Sequence, residues 1–269
     1  MRPSLSSDGR KLAFLSDRSG NADIWLRDMD SGKERALTAT PWNETHPSIT
    51  ADGTKVAFAS GEMQKTVIHV LPLGTGVAET LCEDCGMPMG WSVDGRMVYY
   101  YYWAIPTAYG AIDIRTRERR ELIRHEKYNL HMLRFFPEGH WLAFHVPIAI
   151  EGHSPIWIAP VRNGVGSREN EWIRITEGSG IEATPWTSPD ESILYFLSRR
   201  DGFQCIWAQH LDKATKQPVG VAFDVAHFHG ARHKLTEADF GPGIASDKLV
   251  FTMSDTTGNV WIANIGTRQ

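Results

Sequence analysis

An all-β fold of six repeated, four-stranded antiparallel units is predicted by three observations. They are a repeat of about forty-four residues, a period of two within each copy, and a Ser-x-Asp-Gly turn between the first two apolar runs. The first copy runs from Pro3 through Ser6-Ser7-Asp8-Gly9 to Phe14, and the second from Pro47 through Thr50-Ala51-Asp52-Gly53 to Phe58. Later copies are Trp91-Ser92-Val93-Asp94-Gly95, Phe136-Pro137-Glu138-Gly139, Trp186-Thr187-Ser188-Pro189-Asp190 and an eroded Ile244-Ala245-Ser246-Asp247. The acidic residues fall at 8, 52, 94, 138, 190 and 247, in steps of 44, 42, 44, 52 and 57.

Each copy begins with a short run and an Asp-Gly hairpin, whose turn positions tolerate positive φ. The second strand alternates: Leu12, Phe14 and Ser16 on one face, Lys11, Ala13 and Leu15 on the other. Third strands are predicted at Ala22–Arg27, Thr66–Val70, Ala111–Ile114, Pro155–Ala159, Gln204–Ala208 and Asn259–Ala263. Shorter fourth strands are predicted at Arg35–Thr38, Glu79–Leu81, Glu121–Ile123 and Trp172–Thr176. No segment has helical periodicity. Units that cannot bury their own apolar faces stack into a ring, so the expected architecture is a six-bladed β-propeller. It forms one domain over 1–269, with blades at approximately 1–40, 41–83, 84–125, 126–177, 178–235 and 236–269. The aromatic recurring in strand three (Trp25, Trp157, Trp207, Trp261) is expected to pack between blades. The last unit shows three strands, so its fourth is expected to precede Pro3 in a longer parent chain.

Taken together, Pro-x-x-Ser-x-Asp-Gly, a Lys-x-Ala-Phe-x-Ser strand and Asp17-Arg18-Ser19-Gly20-Asn21-Ala22-Asp23-Ile24-Trp25 resemble the TolB-like branch of the WD-repeat-related propellers. Ser198–Trp207 and Ser254–Trp261 are further copies of the last element. The pattern is broken where Glu191 replaces the turn glycine, in the shortened last hairpin, and where His69 stands for the strand-three aromatic. The resemblance implies roles as diverse as periplasmic protein binding, a sensor domain, gating of a serine peptidase, and a lyase with a channel metal. Fold alone does not choose among them.

A net charge of −4 gives no electrostatic case for nucleic acid or an anionic membrane. The basic run Arg115–Arg120 is interrupted by Glu118 and reads as a solvated turn. No apolar run approaches the roughly 20 residues that cross a bilayer, and no signal peptide is present at Met1-Arg2-Pro3. Cys82-x-x-Cys85 without a second pair reads as ordinary thiols or a local disulfide rather than a metal knuckle.

No nucleophile elbow, phosphate loop, dinucleotide turn or His-Glu-x-x-His helix is present. The once-per-blade Ser and Asp are expected to hold turns. Chemistry is therefore sought in the connections, which carry or adjoin nine of the eleven histidines, eight of them on one face. Aligned on the acidic turn residue, Glu44 matches Glu182, with His46 and His131 nearly equivalent. With His227 and His229 these are expected to ring the channel mouth on the face of the strand 4-to-1 and 2-to-3 connections. There they would form a polar ligand pocket, with a divalent metal as one possibility. The expected function is a monomeric, non-catalytic module binding a protein, peptide or small ligand, without a cofactor, in the bacterial periplasm or as a C-terminal sensor domain. A metal-dependent hydrolase or lyase and an accessory domain of a larger bacterial kinase, regulator or peptidase are the alternatives.

Overall fold

A computed structural model describes residues 3–62, 65–102, 107–147, 154–178, 180–230, 233–235 and 242–255, with no α-helix among them. Blade one comprises β1 (Ser4–Leu5), β2 (Lys11–Ser16), β3 (Asp23–Asp28) and β4 (Glu34–Ala36). Blade two comprises β5 (Glu44–Ile49), β6 (Lys55–Ser60), β7 (Val67–Pro72) and β8 (Glu79–Glu83). Blade three comprises β9 (Met87–Trp91), β10 (Met97–Tyr102), β11 (Ala108–Asp113) and β12 (Arg119–Arg124). In blade four, β13 (His131–Phe135), β14 (Trp141–His145) and β15 (Ile156–Arg162) are followed by β16 (Val165–Gly166) and β17 (Ile173–Arg174), both paired with β15. Blade five comprises β18 (Glu182–Thr187), β19 (Ile193–Ser198), β20 (Cys205–Leu211) and the long β21 (Pro218–Ala226).

The described residues thus form five blades, four of four strands and one in which β16 and β17 share the outer position, not the six expected. After β21 the described residues contribute only two-residue ladders: β23 (Gly243–Ile244) with β24 (Leu249–Val250), and β22 (His233–Lys234), at the end of the predicted fifth blade, with β25 (Ser254–Asp255). In the eroded copy the first hairpin is shortened. Asp247 is not followed by glycine, and the tightened turn closes on a single Ala245 N–H to Lys248 C=O bond (2.9 Å). Trp261 and the third strand predicted at 259–263 lie outside the described residues.

The first strands line the axis. β1, β5, β9, β13 and β18 each touch the next, and β23 touches β1. The cores lie in the seams between blades. Ala13, Ile24 and Leu26 pack on Val56, Phe58 and Leu71 of blade two. Ile68 and Val70 pack on Val98 and Ile112 of blade three, and Ala111 and Leu122 on Leu142 and Phe144 of blade four. Ile156 and Ile158 pack on Leu194 and Phe196 of blade five, whose Trp186 and Ile206 meet Leu235.

Of the recurrent tryptophans, Trp157 and Trp207 pack on the seams between blades three and four and blades four and five. Each recurrent tryptophan among the described residues faces a phenylalanine across the strand pair: Trp25 opposite Phe14, Trp157 opposite Phe144, Trp207 opposite Phe196. His69 takes that position opposite Phe58 and stacks on it, with centroids 5.1 Å apart. In blade three the position is Gly110, and a Cβ there would lie 2.7 Å from the Tyr100 ring, which covers the strand instead.

The Ser-x-Asp-Gly turns are structural. Ser6, Thr50, Ser92 and Ser188 hydroxyls donate to Asp8, Asp52, Asp94 and Asp190 at 2.5, 2.6, 2.5 and 2.7 Å. The same carboxylates accept the N–H two residues on, and these hydrogen bonds hold all four below the usual carboxylate range.

Candidate functional site

Three inner strands share a device that sequence alignment does not reveal. β5, β13 and β18 each carry a bulge with one residue in the left-handed region: His46 (φ 54°), Met132 (φ 51°) and Thr184 (φ 55°). His131 therefore corresponds to Thr45 rather than to His46. A shift of one residue turns a strand side chain to the other face.

Glu44 and Glu182 are equivalent, as the alignment indicates, but both are buried, 2 % and 0 % exposed. Glu44 accepts from Ile24 N–H (3.2 Å), Thr40 Oγ1 (3.0 Å) and the Thr38 hydroxyl. It ties blade two to β3, and burial pushes its carboxyl up. Glu182 accepts from Gly178 N–H (3.0 Å) and pairs with Arg200, whose guanidinium covers the Trp207 ring 4.7 Å from the centroid. These two carboxylates hold the scaffold.

His131, at the exposed start of β13, lies opposite His145 of β14, with ring centroids 5.5 Å apart. His145 is buried, its Nδ1 accepts from Thr184 N–H of blade five (3.4 Å), and burial, then His131, pulls its pKa down to about 3. The unfolded chain protonates this ring near 6.5 and the folded one only near 3, so between those values the unfolded state binds more protons. Stability accordingly falls as pH drops below about 6.5, with a slope approaching 1.4 kcal/mol per pH unit. Chemical denaturation from pH 7 to 4 should show this slope, and His145→Gln should flatten it.

His227 and His229 are brought together. His227 Nδ1 and His229 Nε2 each lie 3.0 Å from Asp201 Oδ2, and the rings meet edge to face at 4.8 Å. Asp201, Cys205, His227 and His229 form a group whose candidate donor atoms all lie within 4.8 Å of one another. It is placed where the β19–β20 connection meets the chain leaving β21, beside an outer strand rather than at the axis. Val225 and Ala226 belong to β21 and His233 to β22, so the connection between these strands carries His227 and His229. Asp201 and Cys205 were not singled out, because they occupy ordinary repeat positions. The His-x-His beside a cysteine in the aspartate position of Asp-Ile-Trp was the available signal.

The other candidate site is an axial cavity of about 490 Å³. Its wall includes Ser4, Leu5, His46, Ser48, Trp91, Arg134 and Phe135 of the inner strands, and its rim the first hairpin turns through Ser7, Ala51, Val93 and Pro137. That rim is on the face opposite the histidine-bearing connections. Of the six residues expected at the channel mouth, His46 lines this cavity. Arg134 is the one permanently charged side chain among the described lining residues, and its Nη1 donates to Met89 C=O (3.1 Å). Ser4 Oγ in the wall accepts from Ile49 N–H (3.0 Å), and Ser7 Oγ on the rim donates to Ala51 C=O (2.8 Å). Away from both sites, Cys82 and Cys85 form a disulfide, and no described helix is long and apolar enough to cross a membrane.

No family model matches the chain. Among curated proteins it is similar to Tricorn protease homolog 1 of Streptomyces coelicolor, 26% identical over 222 residues, which cover 76% of this chain and 19% of that protein. It is also similar to the Protein TolB homolog of Chlorobium luteolum, 35% identical over 74 residues, covering 28% of this chain and 17% of that protein. The chain spans about a fifth of the length of these relatives. Among solved structures, TolB from Acinetobacter baumannii superposes with a TM-score of 0.67 at 15% identity, covering 93% of this chain and 62% of that one. An oligogalacturonate lyase in complex with manganese superposes with a TM-score of 0.63 at 14% identity, covering 95% and 73%. At such identities the likeness speaks for architecture, and the architecture of this chain is a TolB-like β-propeller of four-stranded antiparallel blades.

Proposed function

We propose that this propeller is a non-catalytic recognition module that binds an extended, carboxylate-bearing peptide segment of a partner in its axial cavity. The observation that supports this reading is the composition of the cavity wall. Aromatic and apolar side chains surround one guanidinium, and no acidic residue is among the described lining residues. Apolar pockets with a few convergent polar groups bind ligands through shape and orient them through those groups. A guanidinium offers a planar fork that fits a carboxylate. The module works as a monomer, in a periplasmic or sensor-domain setting.

The test is titration of short peptides with free or amidated C-termini, monitored by isothermal calorimetry. Free-carboxylate peptides should bind the wild type more tightly. Arg134→Met should remove that preference and weaken their binding roughly 10- to 100-fold, the worth of a charge-assisted hydrogen bond. Equal binding of both peptide forms, with no effect of Arg134→Met, would remove this reading. A second reading, an accessory module of a larger enzyme, is favoured by the length of the peptidase relative, of which this chain covers 19%.

A further inference from the structure

We propose that Asp201, Cys205, His227 and His229 form a four-ligand site for a zinc-class divalent cation, which fastens the chain leaving β21 to the β19–β20 connection. The site is separate from the axial cavity and does not rest on the recognition reading.

The donor set comes first. One thiol, two imidazoles and one carboxylate are the ligand types that zinc takes in tetrahedral sites, whereas magnesium, calcium and manganese favour oxygen-rich sets. All four donor atoms lie within 4.8 Å of one another. A tetrahedral zinc site with ligand bonds of about 2.0–2.3 Å separates its donors by roughly 3.3–3.8 Å, so the widest pair needs to close by about one ångström.

Local structure aims the ligands. His227, Phe228 and His229 continue the period of two from β21, which puts both imidazoles on one side. Phe228, on the other side, packs against the core formed by Trp186, Ile206 and Leu235 and meets the Phe251 ring edge to face at 5.6 Å. Its N–H donates to Cys205 Sγ (3.4 Å), a contact suited to a thiolate bound to metal. Asp224 Oδ2 lies 3.3 Å from Nε2 of His227, leaving Nδ1 as the nitrogen that faces Asp201. A carboxylate behind a ligating imidazole is the usual outer partner of a metal-bound histidine. The His229 ring is held against Phe203, with centroids 4.5 Å apart.

Comparison between blades supplies an independent argument. Aligned on Trp25 and Trp207, Asp201 corresponds to Ser19 and Cys205 to Asp23. In blade one the Ser19 hydroxyl donates to Asp23, closing the same connection with an ordinary hydrogen bond. The scaffold is thus complete without a thiol or histidines. Blade five changes both members of the pair and adds two imidazoles at their side. With four protein ligands and no open position, the cation is a structural fastener rather than a hydrolytic centre.

Metal-free protein should be titrated with cobalt(II), whose absorption reports geometry and thiolate ligation, and then with zinc(II) in competition. One equivalent of cobalt is expected, with the intense visible bands of a tetrahedral ion and a thiolate charge-transfer band, all displaced by zinc. Cys205→Ser should abolish the charge-transfer band. His229→Ala, at a solvent-facing ring that leaves the core intact, should weaken cobalt binding at least about 100-fold. The double variant Cys82→Ser/Cys85→Ser should keep the wild-type spectrum. The proposal is overturned by a purely octahedral spectrum, by a charge-transfer band that survives Cys205→Ser or vanishes with the Cys82/Cys85 pair, or by unchanged affinity in His229→Ala.

Discussion

Replacing Glu191 with glycine is expected to destabilise the protein by about 3–5 kcal/mol, the cost of leaving one member of a buried ion pair alone. This is so although glycine is the residue the repeat asks for. Gly9, Gly53, Gly95 and Gly139 occupy the corresponding turns at φ 70°, 65°, 63° and 78°, and Glu191 holds φ 57°. Relieving that backbone would by itself favour glycine by about 1 kcal/mol. The next hairpin of the same blade departs from the pattern in a complementary way. Lys216 (φ 57°) stands where blades one and two have Gly32 and Gly76. Its Nζ is 2.9 Å from Glu191 Oε2, and both side chains are almost wholly buried, 3% and 5% exposed. Glu191 Oε1 also accepts the Glu138 N–H of blade four (2.7 Å), so the pair closes the seam between blades four and five. In urea denaturation, Glu191→Gly should lower the midpoint strongly. Glu191→Gly with Lys216→Met should recover most of the loss, because an apolar chain over the Phe136 ring replaces the stranded ammonium. A single variant as stable as the wild type would mean that Lys216 reaches water on its own.

Trp207→Ala is the second large effect, a loss of about 3 kcal/mol, the lower end for a large aromatic because the ring is only partly buried. The indole packs against the seam core of Phe196, Leu194 and Ile158, and it carries Arg200, the partner of the buried Glu182. Its removal uncovers Phe196 and loosens the guanidinium together. Phe203→Ala, at a ring 48% exposed, serves as the comparison and should change stability by less than about 0.5 kcal/mol. Equal midpoints for Trp207→Ala and the wild type would show that the repeated aromatic is a surface feature, open to a ligand.

The described strands, the hairpin turns and the inter-blade packing of Trp157 and Trp207 were legible in the sequence. Each is set by contacts a few residues apart, or by a period that repeats at every blade. Ser6 with Asp8 and Phe14 opposite Trp25 recur in later copies, so the pattern identifies itself. The number of complete blades among the described residues was not legible, since the degenerate copy at Ile244–Asp247 keeps residues of the repeat while its described part forms only a two-residue ladder.

The candidate site divides along the same line. That Glu44 and Glu182 are equivalent follows from sequence; that both turn inward to hold backbone and arginine depends on burial that only neighbouring blades create. His46 and His131 stand six and seven residues before their acidic turn residues, an offset readable in the sequence, but the bulge at His46, Met132 and Thr184 has no residue signature, since histidine, methionine and threonine all carry it. His227 and His229 could be noticed as a pair, but their convergence on Asp201 and Cys205 arises when the two ends of the β20–β21 hairpin meet, which brings together residues more than twenty positions apart. Local chemistry wrote the blade. The meeting of one blade's loops with another's strands, decided by tertiary packing, determined which polar residues serve the scaffold and which remain to bind.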